Sequence, residues 1–123
     1  MSRGFAAVKR FIAVLLMAIS TSAFAAEVNG FRVWADPEKT RAVLDLDGKA
    51  EYKLFTLNNP DRVVIDLKRS SLDGPLEFNP EYAGVIRGVR HGQPDKETLR
   101  VVLDLEQGVE QSERDLKVLI WRT

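Results

Sequence analysis

The sequence predicts an all-β fold, a β-sandwich of two similar antiparallel sheets, from three observations. A short phrase occurs three times, as Thr40-Arg41-Ala42-Val43-Leu44-Asp45-Leu46, Asp61-Arg62-Val63-Val64-Ile65-Asp66-Leu67 and Leu99-Arg100-Val101-Val102-Leu103-Asp104-Leu105. Each copy sets Arg, Val and Asp at alternate positions with apolar residues between, the period of a strand with one buried face. Turn signals separate these runs, and the pattern recurs after 59 residues, from Arg41 to Arg100. One strand-hairpin-strand unit cannot bury its apolar face alone, whereas two can pack face to face.

The first 25 residues stand apart from this pattern. Arg3, Lys9 and Arg10 form a basic start, Phe11 to Ile19 is an unbroken apolar run of nine residues, and Ala23-Phe24-Ala25 offers small residues for cleavage. That is the layout of a secretory signal peptide, and the run is too short for a membrane anchor, which needs about 20 apolar residues. Lys9-Arg10 in place of Arg-Arg favours general secretion over the twin-arginine route. Cleavage after Ala25 leaves one small domain, 26–123, that keeps all 18 acidic residues, loses three of 18 basic ones and carries a net charge of −3. This argues against a nucleic-acid surface. The chain contains no Cys, so stability after export rests on burial, and a bacterial envelope compartment fits better than a disulfide-rich extracellular one.

In chain order, Val28 to Trp34 alternates as a strand, and Asp36-Pro37-Glu38-Lys39 turns into the first phrase to make a hairpin. On that phrase Ala42, Leu44 and Leu46 face the core, and Arg41, Val43 and Asp45 face outward. Asp47-Gly48 closes it. Glu51 to Leu57 alternates again, with Tyr52, Leu54 and Thr56 opposite Lys53, Phe55 and Leu57. Asn58-Asn59-Pro60-Asp61 then turns into the second phrase, because Asn tolerates left-handed backbone and Pro presets φ. Residues 69–80 break the pattern and are read as a crossover. Val85 to Arg90, the loop around Pro94 and the third phrase repeat the opening. No fourth phrase follows. Gln107 to Arg114 is polar, and Asp115 to Trp121 offers one last strand, so either this strand completes the second sheet or the polypeptide is cut short; the second is favoured.

Arg41, Arg62 and Arg100 are read first as an ion-pair ladder that fixes register, since antiparallel copies of the phrase set each Arg opposite an Asp. The alternative is a row of guanidinium forks aimed at an anionic ligand. Trp34 and Tyr52 are read first as core or edge packing and second as flat surfaces for sugars. His91 is the sole His and sits in a loop, so no zinc set is available within the chain. Asp45, Asp66 and Asp104 are engaged by Arg in the ladder reading and make a poor glycosidase pair. No nucleophile elbow or phosphate-cradling loop occurs, and no catalytic or metal-binding residue is assigned.

These segments, above all Asn59-Pro60-Asp61-Arg62-Val63-Val64, with Phe31 to Trp34, Tyr52 to Phe55 and the three phrases, resemble the AMIN domain over residues 28 to 105. That domain occurs at the N-terminus of periplasmic N-acetylmuramoyl-L-alanine amidases and in pilus secretins. The resemblance implies a β-sandwich that binds peptidoglycan in the periplasm and localises its enzyme to the division septum. Divisome or envelope proteins are implied as further partners, no membrane anchor is expected after cleavage, and zinc belongs only to a separate catalytic domain. Candidate peptidoglycan-binding residues are then Arg41, Arg62, Arg87, Arg90, Arg100, Trp34 and Tyr52. Two other readings follow from the family. The chain is the leading piece of a zinc amidase, or an interaction domain of a secretin-like assembly that pairs through exposed strand edges.

Overall fold

A computed structural model describes residues 26–122, so the signal-peptide reading of 1–25 lies outside the described residues. Eight strands form two four-stranded sheets. They are β1 (Ala26–Ala35), β2 (Thr40–Leu46), β3 (Tyr52–Leu57), β4 (Arg62–Lys68), β5 (Ser70–Leu72), β6 (Ile86–Asp95), β7 (Thr98–Leu105) and β8 (Leu116–Arg122). A 3₁₀ turn at Pro80–Tyr82 and one short helix, α1 (Val109–Asp115), complete the chain. The first sheet runs β5-β1-β2-β8 and the second β3-β4-β7-β6, which is the all-β sandwich expected from the pattern.

The two halves do not each form a sheet. Hairpin β1/β2 lies in the first sheet, while β3/β4 leaves for the second and pairs with the β6/β7 hairpin. β8 returns to the first sheet beside β2, while the second sheet, expected to be incomplete, reaches four strands because β3 and β4 join it. Two edge pairings, β1 with β5 and β2 with β8, are parallel rather than antiparallel. Each edge strand arrives through a crossing from the other sheet, the kind of connection a parallel pair requires. The crossover at 69–80 accordingly contains β5, entered at Arg69 with φ 46° and steadied by the Ser70 hydroxyl, which donates to the Lys68 carbonyl oxygen at 2.9 Å. The turn before β4 places Asn59 at φ 57° ahead of a cis Asn59–Pro60 bond.

The three phrases become β2, β4 and β7, and their inward faces are the core. Ala42, Leu44 and Leu46 meet Val63, Ile65 and Leu67 and then Leu99, Val101, Leu103 and Leu105 across the sandwich, all buried. Burying such a side chain contributes about 1.5–3 kcal/mol, so this alternation is the main source of stability. Val43 and Val64 lie on the outward faces yet are also buried. Their cross-strand neighbours explain it: Val43 sits between Arg32 and Leu119, and Val64 between Phe55 and Val102.

The internal repeat survives in detail. Hairpin β1/β2 breaks register between Val28 and Gly30, and hairpin β6/β7 between Ile86 and Gly88. After each bulge a glycine faces an aspartate, Gly30 with Asp45 and Gly88 with Asp104. A Cβ at Gly30 would stand 3.1 Å from the Asp45 carboxylate. The missing side chain leaves that carboxylate open to an arginine two residues along the strand.

Candidate binding faces

Residues in register across a sheet share a face, so the pairings lay out both outer surfaces. On the first sheet, rows cross β1, β2 and β8 as Gly30/Asp45/Trp121, Arg32/Val43/Leu119 and Trp34/Arg41/Lys117. On the second, rows cross β3, β4, β7 and β6 as Lys53/Asp66/Arg100/Gly92, Phe55/Val64/Val102/Arg90 and Leu57/Arg62/Asp104/Gly88. The candidate residues therefore divide between two opposite surfaces. Trp34 and Arg41 belong to the first, and Arg62, Arg90 and Arg100 to the second. Arg87 stands exposed in the β6 bulge, and Tyr52 lies exposed on edge strand β3, on the inward-pointing side in register with Leu67.

The ladder forms in part. β4 and β7 run antiparallel with Arg62 opposite Asp104 and Asp66 opposite Arg100, the register anticipated for two copies of the phrase. Arg100 donates to both Asp66 carboxylate oxygens, from Nε at 2.8 Å and Nη2 at 2.9 Å. Arg62 instead donates to the carbonyl oxygens of Pro60 at 2.6 Å and Asn58 at 3.3 Å, clamping the preceding turn. Asp104 is taken by Arg90, from Nε and Nη2, both at 2.8 Å. The equivalent pair on the first sheet is Arg32 with Asp45, at 2.7 and 2.8 Å. Arg41 makes no close ion pair among the described residues, because its neighbours in register are Trp34 and Lys117. Its charge acts at longer range on Asp36.

Trp121, Arg32, Leu119 and Lys117 were missed as candidates. The signal was available in Lys117, Leu119 and Trp121, spaced by two on the last alternating run, and in Arg32, which shares a face with Trp34. Trp34 is 49% and Trp121 57% exposed. The Arg32 guanidinium carbon lies 5.5 Å from the centre of the Trp34 ring, and on the second sheet the Lys53 ammonium and Arg100 guanidinium lie 5.6 and 5.9 Å from that of Phe55. These cation–π contacts hold the aromatic rings against their sheets.

The carboxylates on these surfaces are tuned by their donors. Asp66 is held below its ordinary 3.8 chiefly by the Arg100 hydrogen bonds, against a smaller opposing effect of burial. Asp36 is lowered by the backbone N–H groups of Lys39 and Glu38, and Asp95 by the N–H of Glu97 and the Thr98 hydroxyl. Glu27 moves the other way, raised first by the charge of Asp73. A carboxylate depressed in the folded state contributes stability that is complete above its unfolded value and is lost as pH falls through the folded one. Arg100→Gln should therefore lower the urea midpoint at about pH 7, and this deficit should shrink as pH falls through the depressed folded-state value of Asp66 and the carboxyl takes up its proton. A deficit that persists at low pH would mean that Arg100 stabilises the fold by packing rather than through Asp66.

A cleft of about 430 Å³ opens at the end of the second sheet where β3 begins and β4 ends. It is lined by Lys53, Asp66, Lys68, Asp95 and Arg100, with Tyr52 at its margin. Among the described residues no three His, Cys, Asp or Glu side chains are grouped to hold a metal ion, and no helix is long and apolar enough to cross a membrane.

The model of the AMIN domain matches residues 30–122. Among curated proteins, the chain is 33% identical over 103 residues to the N-acetylmuramoyl-L-alanine amidase AmiC of Escherichia coli, covering 79% of this chain and 25% of that protein. It is 30% identical over 94 residues to the AmiC of Neisseria meningitidis serogroup B, covering 73% and 23% respectively. The chain thus spans about a quarter of the length of these curated relatives. The family match extends past the third phrase through α1 and β8, the elements that close the first sheet, and the chain belongs to the AMIN domain family.

Proposed function

We propose that this chain is a non-catalytic module that binds peptidoglycan in the periplasm and brings a cell-wall amidase to the division septum. The observation that carries the binding reading is the outer face of the first sheet. Trp34 and Trp121 both project from it, at opposite corners of β2, about 13 Å apart along the strands and about 10 Å across them. Their exposed indoles offer flat apolar surfaces to the C–H faces of sugar rings, so a short glycan laid diagonally over β2 can touch both. Arg41 and Lys117 lie side by side at the Trp34 corner without close carboxylate partners among the described residues, placed to receive the carboxylates of a stem peptide. The apolar middle of the face, Val43 and Leu119, separates these two functions.

Membership in the AMIN family and the likeness to two amidases support the second part of the reading. Hydrolysis of the bond between N-acetylmuramic acid and L-alanine, by a zinc-activated water, would then belong to a region of the parent protein other than these sheets. The binding face is tested by co-sedimentation with purified sacculi. Trp34→Ala/Trp121→Ala should reduce the bound fraction at least tenfold, and Arg41→Glu/Lys117→Glu should do the same. All four side chains are exposed, so the melting temperature should stay close to the parent's. Sedimentation of both variants at the parent level would remove this face from the function.

A further inference from the structure

The cleft on the second sheet lies apart from the tryptophan face, and its charges are arranged rather than merely numerous. Its floor is the Asp66–Arg100 pair, in which two guanidinium donors are already spent on the carboxylate. Beside the floor stand two lysines that make no close ion pair among the described residues. Lys53 is in register with Asp66 on β3, and Lys68 follows Asp66 on the same face of β4. Their charges reach Asp66 and Asp95 only at longer range.

The opposite wall carries the negative charge. β6 has no side chain beside Arg100, where Gly92 stands, and then leaves register before Asp95, which faces Thr98. Asp95 is fixed in place because its carboxylate accepts the Glu97 N–H at 2.8 Å and the Thr98 hydroxyl at 3.1 Å. Both interactions hold it ionised. Glu51 stands on the lysine side, where its carbonyl oxygen accepts the Lys68 N–H at 2.8 Å, and its carboxylate makes no close ion pair among the described residues.

Lys53, Lys68 and Arg100 against Glu51, Asp66 and Asp95 sum to zero. A simple anion gains little from such a site, because its attraction to the lysines is offset by Asp95 and Glu51. A neutral sugar offers neither lysine an opposite charge. The ligand that matches is one carrying an ammonium and a carboxylate a few ångströms apart.

We infer that this cleft binds an amino-acid zwitterion, the free end of a diamino acid in a stem peptide, with its carboxylate toward Lys53 and Lys68 and its ammonium toward Asp95. The inference rests on the peptidoglycan reading and adds a peptide subsite on the face opposite the tryptophans. Two faces of one small sandwich would then read two parts of the same polymer.

The test is an NMR titration of the purified protein with meso-diaminopimelate, its N,N′-diacetyl derivative and its dimethyl ester. Saturable amide shifts confined to residues 51–53, 66–68 and 94–100 are expected with the free amino acid and should vanish with either blocked form. Lys53→Glu/Lys68→Glu should weaken binding at least tenfold, whereas Trp34→Ala/Trp121→Ala should leave it unchanged. Absence of shifts, shifts elsewhere, or shifts that survive acetylation would overturn the inference. Sacculus sedimentation separates the two ideas: a chain that sediments but does not respond to diaminopimelate loses this subsite alone. One that responds but does not sediment keeps the subsite and loses the peptidoglycan reading.

Discussion

Replacing Gly84 with alanine is expected to destabilise the domain by about 2–5 kcal/mol, from two separate causes. Gly84 sits at φ +55°, in the left-handed region where a side chain costs about 1–2 kcal/mol. A Cβ there would also fall inside the Thr40 side chain and stand 2.9 Å from the Ala35 Cβ. Thr40 cannot easily yield, because it is buried at the start of β2 and its hydroxyl oxygen accepts the Val85 N–H at 3.2 Å. Forcing a methyl group into that junction adds about 1–3 kcal/mol. Gly74 separates the two causes. It has φ +79° with nothing within 4 Å of an added Cβ, so Gly74→Ala carries the backbone cost alone. Urea denaturation should show a clearly lower midpoint for G84A than for G74A, with similar slopes. Equal midpoints would mean that the contact with Thr40 is soft. The junction bears on binding as well, since Thr40 is the residue before Arg41 and Val85 leads into β6.

What could be read in advance, and what could not, divides along a physical line. A strand's faces follow from its own period of two, so the inward residues of β2, β4 and β7 were identifiable from the chain alone, as were the turns at Pro37 and Pro60. Which strand lies beside which depends on burial summed over the whole sandwich. Hence the pattern places the β3/β4 hairpin in the first unit although it pairs with β7, and offers the last strand to the second sheet although it runs parallel to β2 in the first. α1 was read only as a polar stretch because a seven-residue helix has too few turns to show a 3.6-residue stripe.

The candidate residues follow the same division. Arg62, Arg90 and Arg100 lie on the outer face of the second sheet, and their partners are set by neighbours that the period does not name. Gly88 leaves Asp104 open to Arg90, and Arg62, displaced from it, turns to the carbonyl oxygens of its own turn. Trp121 was passed over because its value as a candidate comes from sharing a surface with Trp34, and that depends on β8 docking against β2.

Leu103→Ala should be the most damaging of the simple truncations, at about 2–5 kcal/mol, while Leu54→Ala should cost less than about 1 kcal/mol. Both leucines point inward from the second sheet, and the chemistry of the substitution is the same. Leu103 is 0% exposed on β7, with Val63 of β4 and Val89 of β6 as register neighbours and the first sheet opposite. None of these neighbours is free to fill the space that truncation leaves. Leu54 is 43% exposed on edge strand β3, beside a groove of about 240 Å³ that separates it from α1 and β8. Water already reaches that side, so truncation there opens little new cavity. A domain of this size has roughly 5–15 kcal/mol of total stability, so L103A consumes a large share of it. Its melting temperature should fall by about 10 °C or more, against only a few degrees for L54A. Equal shifts would mean that the β3 edge is sealed in solution, by self-association or by closure of the groove. Sedimentation at two protein concentrations would tell those apart. If the shifts differ as expected, the inward face of β3 can be altered without unfolding the domain, and Trp34, Trp121 and the charged cleft can be tested on a scaffold whose core is known to hold.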